Sequence, residues 1–297
     1  PMAWGALILT LYLIAGALTT AFFFHKDFVE RSKNSEGKFP FLALMYKIFA
    51  LGRMDLTEES LAFDKKMLKT LFKIDIAIAI LLEMYGGILM SVNASRPMWS
   101  SPLLPLIFFT SAMASGAAAL IIVYSIFTFA KGGKSDADME TLQYFRKWIV
   151  WLLVAELFFF LVRIIYFVNS TGRAKLQFIF LFDHGFDTIE YLLVDLGLAI
   201  IVPMVIFLIP QIYVHRGGLI VGALFTLLGA GIFKYNLIVG GQVLTRTSVY
   251  LAELHVSSHE IWTLVSVILG FITLSLFVYW YLPWRPTDEV TEEVSAK

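Results

Sequence analysis

The stretch WIVWLLVAELFFFLVRIIYFVN, residues 148–169, decides the fold class. Its only charges are Glu156 and Arg163. At 1.5 Å per residue a helix of that length covers about 33 Å, the thickness of a bilayer's hydrocarbon core. A barrel strand would instead show about 10 residues of alternating apolarity. Working outward, six further stretches read the same way: 2–24, 74–93, 103–130, 188–214, 218–240 and 261–281. The expected fold is all-α, a polytopic transmembrane helix bundle of about seven helices over residues 1–283, followed by a polar tail, 284–297. The first stretch lacks a basic leader region and is too long for a signal-peptide core, so it reads as a mature helix.

Composition agrees. The 297 residues are 59% hydrophobic and 15% charged, with a mean hydropathy of +0.78, against about 45–50% apolar and about 25% charged in soluble domains. A soluble enzyme is excluded. Lys and Arg total 23 and Asp and Glu total 23, which gives no electrostatic case for a nucleic-acid partner. There is no cysteine. Disulfides, thiol catalysis and an iron–sulfur cluster held by this chain's own thiolates are thereby excluded.

Basic residues set the expected orientation. The connection 25–73 holds ten Lys and Arg, among them Lys65, Lys66, Lys69 and Lys73, and the next even loop holds Lys131, Lys134, Arg146 and Lys147. The alternate loops carry only Arg96, then Arg173 and Lys175, then Arg246. Loops 25–73 and 131–147, the loop before 218 and the C-terminus are therefore expected in the cytoplasm. Residues 39–51 are amphipathic and too short to span, so a helix on the membrane surface is expected there.

Ionisable side chains inside a membrane cost roughly 2.5–3.5 kcal/mol on insertion scales and need a reason. Five stand out: Glu83, Glu156, Arg163, Asp195 and Lys234. Helical rise puts Glu156 about 12 Å from the cytoplasmic end of its helix and Glu83 near the midplane, with Arg163, Asp195, Lys234 and Tyr85 in the outer half. Glu156 and Arg163, seven apart, share a face, and His184, Asp187, Tyr191 and Asp195 share another. The pattern reads as a polar seam serving a proton path to a redox or ligand site. The alternative is a set of ion pairs that fix helix register, such as Arg163 or Lys234 with Asp195. Asp75, Asp187 and Glu190 are expected at helix ends, where water or headgroups can reach them, and carry no functional weight. The five histidines lie in loops or near helix ends, so a bound haem b is not expected. His255 and His259 are spaced for a metal but more simply start a helix, and no metal site is expected. Asn93-Ala94-Ser95 and Asn169-Ser170-Thr171 match the glycosylation acceptor pattern and are neutral.

Several segments are familiar in order. Leu82-Glu83-Met84-Tyr85-Gly86-Gly87 leads into Arg96-Pro97-Met98-Trp99-Ser100-Ser101-Pro102-Leu103-Leu104-Pro105 and the small-residue run Ser111-Ala112-Met113-Ala114-Ser115-Gly116. Ala155-Glu156-Leu157-Phe158, Ile200-Ile201-Val202-Pro203-Met204 and Phe233-Lys234-Tyr235 through Gly240-Gly241-Gln242 follow. Together they resemble the NrfD-like membrane subunits of the polysulfide reductase family. The region 257–283 resembles the extra helix of a longer branch that includes membrane subunits of hydrogenase, of the sulfite-reduction-linked complex and of alternative complex III. Lys234 stands where that family usually has Arg, which keeps the charge but loses the planar fork. Pro1-Met2-Ala3-Trp4-Gly5 resembles the start of the family's third core helix. The chain is therefore expected to be the C-terminal part of a protein of eight to ten helices, with the leading helices that help hold the quinone lying before it.

The resemblance implies a menaquinone-reactive subunit of a respiratory oxidoreductase complex in the prokaryotic inner membrane, active in anaerobic respiration and paired with a ferredoxin-like iron–sulfur subunit on the outer face. Tyr85 would stand beside the quinone head group, with Gly86, Arg96, Trp99 and Gln242 as further cofactor-binding positions. Arg163 or Lys234 would offset negative charge on the reduced quinone, while Glu83 and Glu156 would carry protons between the site and the cytoplasm, and Asp195 is a further catalytic position of the seam. Tyr85 reads alternatively as an interfacial belt residue, and Gly86 as a packing position. Two other readings stay open: a proton- or ion-translocating subunit without a quinone site, and a passive membrane anchor.

Overall fold

The computed structural model describes residues 2–35, 39–93, 95–96, 99–130, 136–171, 175, 192–243 and 258–281. Among them every regular element is a helix: α1 (Met2–Phe23), α2 (His25–Ser35), α3 (Pro40–Phe49), α4 (Glu58–Ser91), α5 (Leu104–Ala130), α6 (Asp136–Asn169), a π-helix (Leu192–Ile201), α7 (Val202–Leu208), α8 (Pro210–Tyr213), α9 (Arg216–Val243) and α10 (Ser258–Tyr281). Five contain stretches long and apolar enough to cross a membrane: Ala3–Phe23, Glu58–Ser91, Leu104–Ile126, Met139–Asn169 and Arg216–Val239. The all-α polytopic bundle is thus what the chain forms. It divides into two compact units, residues 3–79 with 255–297, and residues 80–254 with 1–2.

In the first unit, α2 packs on α3 through Phe28, Val29, Tyr46 and Ala50. The rings of Phe28 and Tyr46 stack with centroids 6.1 Å apart. Ala43, Tyr46 and Ala50 recur at helical spacing and form the buried side, which leaves Phe41, Leu44 and Ile48 exposed on the other. The start of α4 is tied back by charge. Asp64, buried, receives Arg53 Nη1 at 2.8 Å and pairs with His25 Nδ1 at 2.7 Å. His25 Nε2 donates to the Arg53 carbonyl at 3.0 Å, and Arg53 Nη2 donates to Ser60 Oγ at 2.8 Å. Just before α4, Asp55 accepts the Thr57 amide at 3.0 Å and hydroxyl at 2.9 Å. Those two bonds hold the Asp55 carboxyl below its usual range.

The helix α4 begins 16 residues before Ile74, where the apolar run starts. Asp75 is therefore well inside a helix rather than at its end. Thr19 Oγ1 of α1 donates to Asp75 Oδ2, while Asp75 Oδ1 is buried without a hydrogen-bond partner among the described residues.

In the second unit, α5 packs on α6 and α9, and α9 also packs on the π-helix and α7. Its core joins Ala118 and Ile121 of α5, Leu142, Ile149 and Leu153 of α6, Phe207 of α7, and Leu219 and Ala223 of α9. Span 188–214 differs from the single helix expected. Its described part is a π-helix, then α7 with Pro203 in its first turn, then a break at Ile209, whose ψ of 114° is extended. Pro210 is the cause, because its ring pushes the preceding residue out of helical geometry. The carbonyls freed near the break need donors in a dry setting. Arg146 Nη1 donates to the Phe207 carbonyl at 2.6 Å and its guanidinium lies 3.8 Å from the Tyr213 ring centre. Gln143 Nε2 donates to the Tyr213 carbonyl at 2.7 Å.

Candidate functional site

The polar seam takes shape within the second unit, between α5, α6, the π-helix and α9. A cavity of about 20 Å³ is lined by Ser111 of α5, Glu156, Phe160 and Arg163 of α6, Ala199 and Ile200 of the π-helix, and Gly229 and Phe233 of α9, among others. That is room for about one water molecule. The seven-residue spacing does place Glu156 and Arg163 on one side of α6, and both reach the cavity.

Glu156 as a whole is half-buried, but its Oε1 is fully buried and has no hydrogen-bond partner among the described residues. The Ser111 hydroxyl stands beside this carboxyl, and the Lys234 ammonium acts on it electrostatically. Ser111 Oγ is itself buried without completing a bond of acceptable geometry. A buried carboxyl and a buried hydroxyl with unused bonding capacity, beside space for a water, form a place where a proton can be held and passed on. Arg163 is 3% exposed, with its guanidinium 5.5 Å from the Phe167 ring centre.

Asp195, fully buried, sits in the π-helix and accepts Asn236 Nδ2 of α9 at 2.7 Å. Wide turns inside helices are frequent at functional sites, and this one runs for ten residues. The π-helix approaches α9 closely because position 229 is glycine: a Cβ there would lie 2.5 Å from Ala199 Cα. Lys234 reaches over the Phe108 ring of α5, with Nζ 5.8 Å from its centre. The same ring lies against Gly86, where a Cβ would be 3.4 Å away. Phe108 therefore joins the turn of α4 that carries Tyr85 to the turn of α9 that carries Lys234. Tyr85 is half-buried, and Glu83, two residues before it, is exposed.

A second group forms at the C-terminal end of α9. Trp99 Nε1 donates to the Leu237 carbonyl at 2.8 Å. Arg96 Nη1 donates to the carbonyls of Gly241 at 2.8 Å and Gln242 at 3.1 Å. These donors satisfy the last turn of α9, which has lost its helical partners. Any Cβ at Gly241 would collide with the Trp99 indole. The structure brings Arg96, Trp99 and the backbone of Gln242 together as a clasp on a helix terminus; the Gln242 side chain is exposed.

Sequence reasoning missed Ser111, Phe108 and Asn236 as members of the site. No periodic signal marks them, because each acts across at least 22 residues of chain. His184, Asp187, Glu190, Tyr191 and His255 lie outside the described residues, while His259 is exposed on α10. Among the described residues no group of three or more His, Cys, Asp or Glu is placed to hold a metal.

Comparison with known proteins adds to this geometry. The chain is 26% identical over 170 residues to a protein NrfD homolog of Haemophilus influenzae, covering 56% of this chain and 50% of that protein. It is 25% identical over 209 residues to protein NrfD of Escherichia coli, covering 69% of this chain and 58% of that one. A selenate reductase subunit from Mesobacillus selenatarsenatis is 27% identical over 135 residues, or 44% of this chain and 31% of that protein. The chain spans about half the length of the first two relatives and less of the third. The family model described as polysulphide reductase, NrfD, matches residues 1–246. That match, over a multi-pass helical bundle with the polar seam in its core, places the chain in the NrfD (polysulphide reductase) family of membrane proteins.

Proposed function

We propose that this chain is the quinone-reactive membrane subunit of a multisubunit respiratory oxidoreductase, exchanging electrons with an iron–sulfur partner on the outer face and carrying protons from the cytoplasmic side. The observation that carries the reading is the Glu156 carboxyl, buried in mid-bundle beside Ser111 and Lys234 with an oxygen still unbonded. A fixed structural ion pair would have used that oxygen; a proton relay needs it. Menaquinone is the proposed substrate. The cavity beside Glu156 takes about one water and does not itself admit a quinone ring. The quinone is therefore assigned to the side of α4 that carries Tyr85, and the cavity to protons.

In this division Tyr85 donates a hydrogen bond to a quinone carbonyl, Phe108 keeps its helix turn in register with Lys234, and Glu156 takes up and releases the proton. Glu83, Arg163 and Asp195 extend the path, and the membrane is the prokaryotic inner membrane with the C-terminus inside. Replacing Tyr85 by Phe is expected to lower quinone turnover about tenfold, the scale of one hydrogen bond, while the complex still assembles. Unchanged turnover would remove Tyr85 from the site.

The small size of the cavity favours one competing reading, a proton- or ion-translocating subunit with no quinone of its own. That reading predicts no inhibition by quinone analogues together with loss of proton movement in Glu156→Gln. Normal activity in a Glu83→Gln, Glu156→Gln double variant would instead mark a passive anchor.

A further inference from the structure

We propose that the region from α3 through the first five turns of α4 docks on the anionic phospholipid headgroups of the cytoplasmic leaflet. The argument starts from the two faces of α4. Lys65, Lys66, Lys69 and Lys73 are all exposed, and at 100° per residue they fall within one sector of about 100°. Lys65, Lys69 and Lys73 follow one another at i, i+4 spacing, where like charges repel. None of the four has an ion-pair partner among the described residues.

The acids of the same stretch point elsewhere. Asp64 is turned inward to His25 and Arg53, and Asp75 to Thr19. Glu58 and Glu59 sit in the first turn, beyond i, i+4 reach of any of the lysines. A row of ammonium groups kept clear of internal counter-charge calls for an external one.

Depth identifies the counter-charge. Lys73 directly precedes the apolar run at Ile74, so the four lysines lie within about 12 Å of the hydrocarbon edge along the helix, the zone of lipid phosphates. The neighbouring α3 offers the matching apolar element: Phe41, Leu44 and Ile48 are 72%, 54% and 57% exposed on one side, while its other side is fixed on α2. A helix with one face held by protein and the other apolar and open, followed one connection later in the chain by a row of unpaired lysines, fits the headgroup–acyl boundary of an anionic leaflet. An acidic protein would answer the charge but not the depth.

The test uses the full chain, in its complex, reconstituted in nanodiscs of phosphatidylcholine with or without phosphatidylglycerol. Native mass spectrometry reads the ratio of the two lipids retained, and a thermal scan reads Tm. Wild type is expected to enrich phosphatidylglycerol and to gain Tm with it. Replacing all four lysines by Gln is expected to lower the enrichment about fivefold per lysine before saturation, with Tm in phosphatidylcholine unchanged. Replacing all four by Arg should preserve the enrichment, and Leu44→Ser with Ile48→Ser should lower the Tm gain alone. If the Gln variant does not fold, Lys69→Gln and Lys73→Gln singly give the same reading. Undiminished enrichment in the Gln variants overturns the proposal. So does release of an acidic partner subunit from those variants while enrichment persists.

Discussion

Two clusters of buried charge answer the same physical problem in opposite ways. In the first unit, Asp64 is met by His25 and Arg53, and Arg53 by Ser60, so each buried polar atom of the group has a partner. In the second, Glu156 Oε1 and Ser111 Oγ are buried beside a cavity and lack one among the described residues. Taking a charge out of water costs several kcal/mol unless pairing offsets it. A cluster that offsets the cost completely holds a fold together. One that leaves part of it standing keeps bonding capacity in reserve for something that comes and goes. The contrast assigns the first cluster to architecture and the second to chemistry.

That assignment can be broken at several points, and the largest effect belongs to the satisfied cluster. Asp64→Ala strands His25 and Arg53 without their carboxylate and is expected to destabilise the chain by about 3 kcal/mol, seen as loss of folded protein or a lowered Tm. An Asp64→Ala variant of normal Tm would show that the cluster is not structural. Glu156→Gln should behave in the opposite sense. Turnover is expected to fall about 10²-fold, as for loss of a general acid–base group, with Tm unchanged or raised, since the variant removes a buried carboxyl that has an unbonded oxygen. A Tm loss as large as that of Asp64→Ala would erase the distinction between the clusters.

Smaller effects come from the clasp on α9. Trp99→Phe removes the bond to Leu237 and is expected to cost about 1 kcal/mol. Gly241→Ala forces the indole aside and is expected to cost about 1–3 kcal/mol, both read by thermal unfolding. The smallest concerns pH. The Asp55 carboxyl is lowered by its bonds to Thr57, so its contribution is present above the unfolded carboxylate range and is lost as pH falls through the lowered folded value. Because Asp55 is fully solvent-accessible, only a slight drop in Tm at acid pH is expected, and Asp55→Asn should flatten it.

The same contrast explains how much is legible in the sequence. Spans are written in composition, so 148–169 announces a membrane helix without help from the rest of the chain. The pairing of Glu156 with Arg163 on one face is likewise local, fixed by two helical turns. Meetings between helices are not. His25 and Asp64 are 39 residues apart, Asp195 and Asn236 are 41 apart, and no period links them. Pro210 is visible as a breaker, but which donors serve the carbonyls it frees depends on where α6 lies. Asp75 escapes a reading by hydropathy, which marks where a membrane run begins, whereas the helix itself starts 16 residues before that run, among Glu and Lys. Arg96 and Trp99 are recognisable as a motif, yet their grip on the α9 terminus belongs to tertiary structure.

The break at Ile209 also bears on how the chain enters the membrane. A helix interrupted within a bilayer exposes carbonyls that lipid cannot satisfy. Here the donors, Gln143 and Arg146, lie on α6, which leaves the ribosome before α7 and α8 are made. The donors for the interrupted segment thus precede it in the chain, so they are already made when its freed carbonyls come to need them.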